Sequence, residues 1–195
     1  MARIEREPQY HRYTVAAYHR MREFGILAPD ERLQLVDGAI FELEPISSSH
    51  AGTVDHLAQL LRLAADNPAI VRVQLPISLD DYNEPVPDIA LLYRRDDDYK
   101  SHHPRLSDVL LVVEVADTSL RFDRDVKAPL YARSGIAEVW LVDLPDRRLI
   151  RYREPPQGSY RRVDQPDLNL RLEIEALPGA HIDLDTLFTQ SSSDE

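Results

Sequence analysis

The strongest constraint on the fold comes from two near-continuous apolar runs, residues 86–93 (VPDIALLY) and Val109–Ala116 (VLLVVEVA). Both are far too short to span a membrane and have the length of β-strands. A strand with one wet face alternates apolar and polar residues, whereas a strand without alternation is covered on both faces. Residues 137–142 (AEVWLV) have the same character. The chain therefore reads as α/β, with a central sheet flanked by helices.

The flanking segments fit this layout. Residues 13–24 read as a short helix with Thr14 as N-cap and Gly25 as its stop. Residues 32–44 form two runs about Asp37-Gly38, a strong hairpin signal. Ser47-Ser48-Ser49 caps a longer helix over 50–66, whose Val54, Leu57, Leu60, Leu61 and Ala64 keep helical spacing. Strands are expected over 71–75 and 77–79, with a turn at 80–84, and 94–107 is too polar for core. A helix over 122–134 ends at Gly135, with Pro129 marking a kink or a late start. A hairpin pairs 149–153 with 160–163. No internal repeat or linker is evident, so residues 1–189 read as one domain and 190–195 as a disordered polar tail.

Composition narrows the function. The absence of cysteine removes disulfides, thiolate metal sites and cysteine nucleophiles. The charged N-terminus has no signal-peptide core and no apolar run reaches membrane length, which points to a soluble cytoplasmic protein without a membrane partner. A net charge of −11 repels polyanions, so a nucleic-acid partner would need a local basic face or bound cations. The cluster Arg147, Arg148, Arg151, Arg153, Arg161 and Arg162 is one such face, or simply a solvated hairpin.

The chemistry is expected where charge interrupts the apolar runs. Glu114 lies within LLVVEVA, and a carboxylate there must be paired, hydrogen-bonded or bound to a cation. Of the four Pro-Asp pairs in the chain, only Pro87-Asp88 opens a buried strand. Asp88 and Glu114 on neighbouring strands would suit magnesium, which takes one or two carboxylates and keeps several waters. The Val115 carbonyl could complete the protein's share. Such an ion activates water and polarises a phosphoryl oxygen, and a lysine such as Lys127 on the following helix would stabilise developing charge. The residue types leave the alternatives open: Glu114 in a structural ion pair, with Arg133 for example, and Lys127 as a solvent-facing helical lysine.

Pro87-Asp88 followed by Glu114-Val115-Ala116 resembles the PD-(D/E)xK nuclease pattern, with Ala116 where the lysine usually stands. Residues 112–143 (VVEVADTSLRFDRDVKAPLYARSGIAEVWLVD) closely resemble the Uma-type ("Uma two") restriction-endonuclease family, in which the lysine has moved to the next helix. VDGAIFELEPISSSH and VPDIALLY resemble its earlier blocks, and the likeness covers about residues 12–163. It implies a restriction-endonuclease-like mixed sheet, with Asp88 and Glu114 as metal ligands and Lys127 as catalytic lysine. It also implies substrate contact by His50, although a cap or packing role for His50 stays open. Many members carry a glutamate where this chain has Gln34, which offers only a neutral carbonyl oxygen. Tyr131 and Trp140 are assigned to the core, and His102 and His103 to a solvated loop. The function implied is Mg- (or Mn-) dependent cleavage of DNA, by a homodimer since a duplex needs two cuts. The alternative is a weak or inactive module of the same fold that binds nucleic acid or protein.

Overall fold

The computed structural model describes residues 10–65 and 69–188. The expected tail at 190–195 and the last residue of the expected 50–66 helix lie outside them. Six strands form the central sheet in the order β3-β4-β5-β6-β7-β8: β3 (Ala69–Val73), β4 (Ile89–Tyr93), β5 (Val109–Ala116), β6 (Glu138–Asp143), β7 (Arg148–Arg153) and β8 (Arg162–Asp164). All neighbours are antiparallel except β5 and β6. That parallel pair requires a crossover, which the helical segment 120–134 supplies.

Both faces of β5 are covered, as its unbroken apolar run demands. Leu111, Val113 and Val115 pack with α2 (Ser48–Ala65) and with Leu172 and Ile182 of a small hairpin, β9 (Arg171–Glu173) and β10 (His181–Asp183). Val112 faces the other way, into a cluster with Leu130, Tyr131 and Ile136. Trp140 is buried on the α2 side, and its indole N–H donates to Glu138 at 2.8 Å. The β9–β10 hairpin had no counterpart in the sequence reading, because three-residue strands with one inward side chain apiece leave almost no periodic signal.

A second two-stranded sheet joins β1 (Leu33–Val36) and β2 (Ala39–Glu42). Its turn holds Asp37 at φ 52° and Gly38 at φ 75°, the conformation that favours Asp-Gly. The first helix, α1 (Val15–Glu23), is capped by Thr14, whose hydroxyl accepts from the Ala17 amide at 3.2 Å.

Several boundaries differ from expectation. β3 stops at Val73 because Gln74 turns to φ 50° and gives its amide to the Asp88 carbonyl at 2.9 Å. Residues 77–79 form no strand and make one bridge, Ser78 to Arg105. The crossover helix starts with α3 (Leu120–Phe122) and contains a π-helical turn, Asp123–Lys127, before its last stretch, α4 (Ala128–Ser134). Pro129 falls just after the π turn, where the helical hydrogen-bond ladder is already irregular, and Gly135 closes the helix at φ 92°. Among the described residues, no helix is long and apolar enough to cross a membrane.

Candidate functional site

The site follows from the register of β4 on β5. Ile89 pairs with Val113 and Ala90 with Val112, so Asp88, one residue before β4, stands opposite Glu114. Alternation along a strand then fixes the faces. Ile89 and Val113 pack toward α2, while Ala90 and Val112 pack toward α4, so Asp88 and Glu114 emerge together on the α4 side. Both line one cleft of about 340 Å³, with Gln34, His50 and Lys127.

Glu114 is 2% exposed and Lys127 3% exposed. Lys127 Nζ lies 2.6 Å from Glu114 Oε1 and 3.7 Å from Asp123 Oδ1, and it donates to the Val86 carbonyl at 3.3 Å. Lys127 is thus a buried cation aimed into the cleft and not a solvent-facing helical residue. Arg133, the structural partner considered for Glu114, pairs with Asp37 instead. Tyr131 is buried as expected of core, but its hydroxyl also donates to Glu114 Oε1 at 2.6 Å. Asp123 accepts from the Ser119 hydroxyl. Asp123 and Lys127 are the two ends of the π turn, a local irregularity that often marks functional helices.

Asp88 is held from three sides. His50 Nε2 lies 2.9 Å from its Oδ1, Gln74 donates to the same oxygen at 3.2 Å, and the Val115 amide donates to Oδ2 at 2.8 Å. Within a strand the N–H and C=O of one residue point to the same neighbour, so the Val115 carbonyl also faces the Asp88 side. His50 is placed by the start of α2, where Ser47 Oγ accepts the His50 amide and donates to Asp117. Gln34 reaches the cleft, but its Oε1 accepts from the Val86 amide at 3.2 Å, so its carbonyl oxygen already serves the fold. Gln74, Asp123 and the Tyr131 hydroxyl were missing from the sequence reading of the site. Only the placement of Asp123 four residues before Lys127 could have drawn attention to one of them.

The electrostatics are those of too many acids for one lysine. Burial pushes the Glu114 carboxyl up to about 8 despite Lys127, with Asp123 and Asp88 adding to the rise. Burial also raises Asp123, against the pull of Lys127 and Ser119. Burial acts upward on Asp88 too, but His50, Lys127 and the Val115 amide outweigh it and hold this carboxyl below its usual value. Lys127 itself is driven down by desolvation and up, with net gain, by Glu114, Asp123 and Asp88. His50 is raised, mainly by its bond to Asp88. Further out, Glu42, Glu44 and Asp117 also line the cleft, and Arg32 stands against them.

Among the described residues, no three His, Cys, Asp or Glu side chains converge as a ready-made metal group. A hard cation needs less, since one or two carboxylates and water suffice for magnesium. Asp88 and Glu114 fit that requirement. Lys127 and Tyr131 both use Glu114 Oε1, and Oε2 has no hydrogen-bond partner among the described residues. The unbalanced negative charge of the cluster is what a divalent cation would neutralise.

The other candidates lie elsewhere. Of the arginine cluster, Arg148 pairs with Asp143 and Asp146, Arg151 and Arg153 with Asp164, and Arg162 with Glu154. That face is largely neutralised by the chain's own acids, as a solvated hairpin would be. His102 lies 2.9 Å from Arg95, and His103 is half-buried beside His19 in a separate cavity, not in a fully solvated loop.

No curated protein matches the chain. Among solved structures it is similar to a putative nuclease belonging to DUF820 from Anabaena variabilis. That match has a TM-score of 0.67 and 14% identity, covering 90% of this chain and 97% of that one. At this identity the likeness establishes the fold, a mixed α/β nuclease fold with a six-stranded sheet. The family model Uma2, "Putative restriction endonuclease", matches residues 15–185, nearly the whole of the described structure, and the chain belongs to this family.

Proposed function

We propose that this chain is a cytoplasmic, metal-dependent endonuclease that hydrolyses DNA phosphodiester bonds. The observation that carries the reading is the meeting of Asp88 with the buried Glu114, Asp123 and Lys127 in one cleft. A divalent cation, magnesium or manganese, held by Asp88, Glu114 and the Val115 carbonyl would supply a polarised phosphoryl oxygen and a more acidic water.

The chain's own residues do the rest. Lys127, fixed by Glu114 and the Val86 carbonyl, presents an ammonium that does not need to reorganise as charge develops on the phosphate. Tyr131 pins the Glu114 carboxylate from the core side, leaving its other oxygen to the cleft. His50 and Gln74 orient Asp88. Gln34 braces the Val86 segment that accepts from Lys127. Cutting both strands of a duplex favours a homodimer.

One observation favours the second reading, a catalytically weak or inactive module. Gln34 stands at the cleft wall as a neutral group already engaged with Val86, which leaves at most one well-served cation. The test joins binding to turnover. Calorimetric titration with magnesium and manganese should show binding that Asp88→Asn abolishes, and plasmid cleavage should vanish with chelator, with Asp88→Asn and with Lys127→Ala. Metal binding without cleavage of any DNA or RNA would leave the module reading, and absence of both would overturn the site.

A further inference from the structure

A second, basic cavity lies apart from the cleft. It measures about 490 Å³ and is lined by Arg72, Lys100, Arg105, His103, Ser78 and Ser101, among others. This is an unusual concentration of positive charge in a chain of net charge −11. Among the described residues Glu84 is the one carboxylate lining it, and His19 Nε2 lies 2.6 Å from Glu84 Oε1.

Among the described residues, two guanidinium groups there make no hydrogen bond or ion pair. Arg72 Nη1 is buried and has no hydrogen-bond partner among the described residues. Burying such a donor unpaired is costly, and the usual resolution is a water or an ion not belonging to the chain. The Arg72 side chain is held over the Tyr99 ring, 6.0 Å from its centroid, and Tyr99 is itself anchored by donating to the Tyr93 carbonyl at 2.6 Å. Arg105, exposed at the rim, uses its backbone to bond Asp108, while its guanidinium makes no hydrogen bond or ion pair among the described residues. Two guanidinium groups lining one cavity together with the Ser78 hydroxyl suit a tetrahedral oxyanion better than a cation.

Shared lining residues place the cavity near the candidate active site. A hollow lined by Tyr18, Arg22 and Leu33 shares His19, Glu84 and His103 with the basic cavity and Val86 with the cleft. Val86 is the residue whose amide and carbonyl are held by Gln34 and Lys127. A polymer with regularly spaced anions could therefore occupy both sites at once.

We infer that the Arg72–Arg105 cavity is a second phosphate site, which holds a backbone phosphate of nucleic acid whose scissile bond lies in the cleft. The inference rests on the nuclease reading for the source of the phosphate, but not for the anion site itself. It also answers the objection raised by net charge, since the chain carries a local anchor for a polyanion away from its neutralised arginine hairpin.

The test uses the full chain, with Arg72→Gln and, because Arg72 is partly buried, the exposed Arg105→Gln as a second variant. Binding of a labelled DNA duplex is measured against salt concentration with calcium in place of magnesium. In parallel, melting is followed with inorganic phosphate against chloride at equal ionic strength. Each variant should weaken DNA binding about tenfold and reduce the slope of log K against log salt by about one. Stabilisation by phosphate, present in the wild type, should disappear in both. If phosphate stabilisation is lost in the variants while DNA binding is unchanged, the cavity serves a free anion and the backbone assignment is overturned. If phosphate does not stabilise the wild type and the variants bind DNA normally, the site is overturned altogether. If the wild type binds no DNA yet loses phosphate stabilisation on Arg72→Gln, the anion site stands and the nuclease reading fails.

Discussion

Replacing Lys127 should be far more damaging to the metal-free protein than replacing Glu114, although the two form one ion pair. Their side chains are 4% and 3% exposed and meet at 2.6 Å, so solvent does not screen the pair. Breaking a buried pair by removing one partner typically costs about 3–5 kcal/mol, because the remaining charge is left uncompensated. Here the two halves are not equivalent. Lys127→Met strands Glu114, Asp123 and Asp88 without their cation. Glu114→Gln leaves Lys127 with Asp123 at 3.7 Å and keeps a carbonyl oxygen for Tyr131, while removing one of the surplus acids. The Lys127 variant should therefore lose the full ~3–5 kcal/mol. For a chain of this size that is a fall in Tm of about 6–20 °C, at about 2–4 °C per kcal/mol. The Glu114 variant should lose less than about 1.5 kcal/mol, the usual net value of a single hydrogen bond. Thermal and urea denaturation in chelator at about pH 9, above the Glu114 value of about 8 so that the carboxylate is ionised, measures both. Equal losses in the two variants, or a Lys127→Met protein as stable as the parent, would refute the claim that acids outnumber cations in this core.

Three further outcomes follow from the same geometry. With Glu114 raised from 4.5 to about 8, the folded chain holds this proton more tightly than the unfolded one. Metal-free stability should therefore fall as pH rises from 4.5 to 8, and Glu114→Gln should flatten that fall in a series of urea midpoints. His50 adds a loss of the same sign above 6.5, whereas the lowered Asp88 matters only below 3.8, where stability is lost on acidification. Tyr131→Phe keeps the ring but removes the donor to Glu114 Oε1, and should cost about 1–3 kcal/mol by chemical denaturation. Gly38→Ala would place a methyl group 2.6 Å from Arg12 Cβ at a φ of 75°. It should destabilise by more than about 1 kcal/mol, with the loss visible as a lower Tm.

The parts of this structure that could be read from the sequence are those where one segment contains its own explanation. β5 spans the residues its apolar run marks, and Glu114 is conspicuous there because a carboxylate among apolar neighbours has to be answered. Asp37-Gly38 turns where expected because only a few residues tolerate those dihedrals. What could not be read is what distant segments do to one another. Tyr131 has the spacing of a core aromatic and is one, but spacing says nothing about its hydroxyl, which only the packing of α4 under β5 brings to Glu114. Gln34 shows a missing charge in the sequence; its bond to Val86 depends on how the β1–β2 hairpin lies against residues 84–86. Gln74 joins Asp88 through a left-handed turn at a residue type that rarely announces one.

The same distinction explains why the two arginine-bearing regions exchange importance. The run of arginines from Arg147 to Arg162 dominates the sequence, yet Asp143, Asp146, Glu154 and Asp164 lie close enough along the chain to neutralise most of it. Arg72 and Arg105 are unremarkable in sequence, thirty-three positions apart by their numbering, and each stands next to no other cation. Folding sets Ser78 beside Arg105 and lays Tyr99 under Arg72, which gathers both guanidinium groups at one cavity where, among the described residues, no acid pairs with them. Local density of charge measures how well a segment can satisfy itself. The capacity to bind an outside anion belongs to charges that the fold collects and leaves unsatisfied.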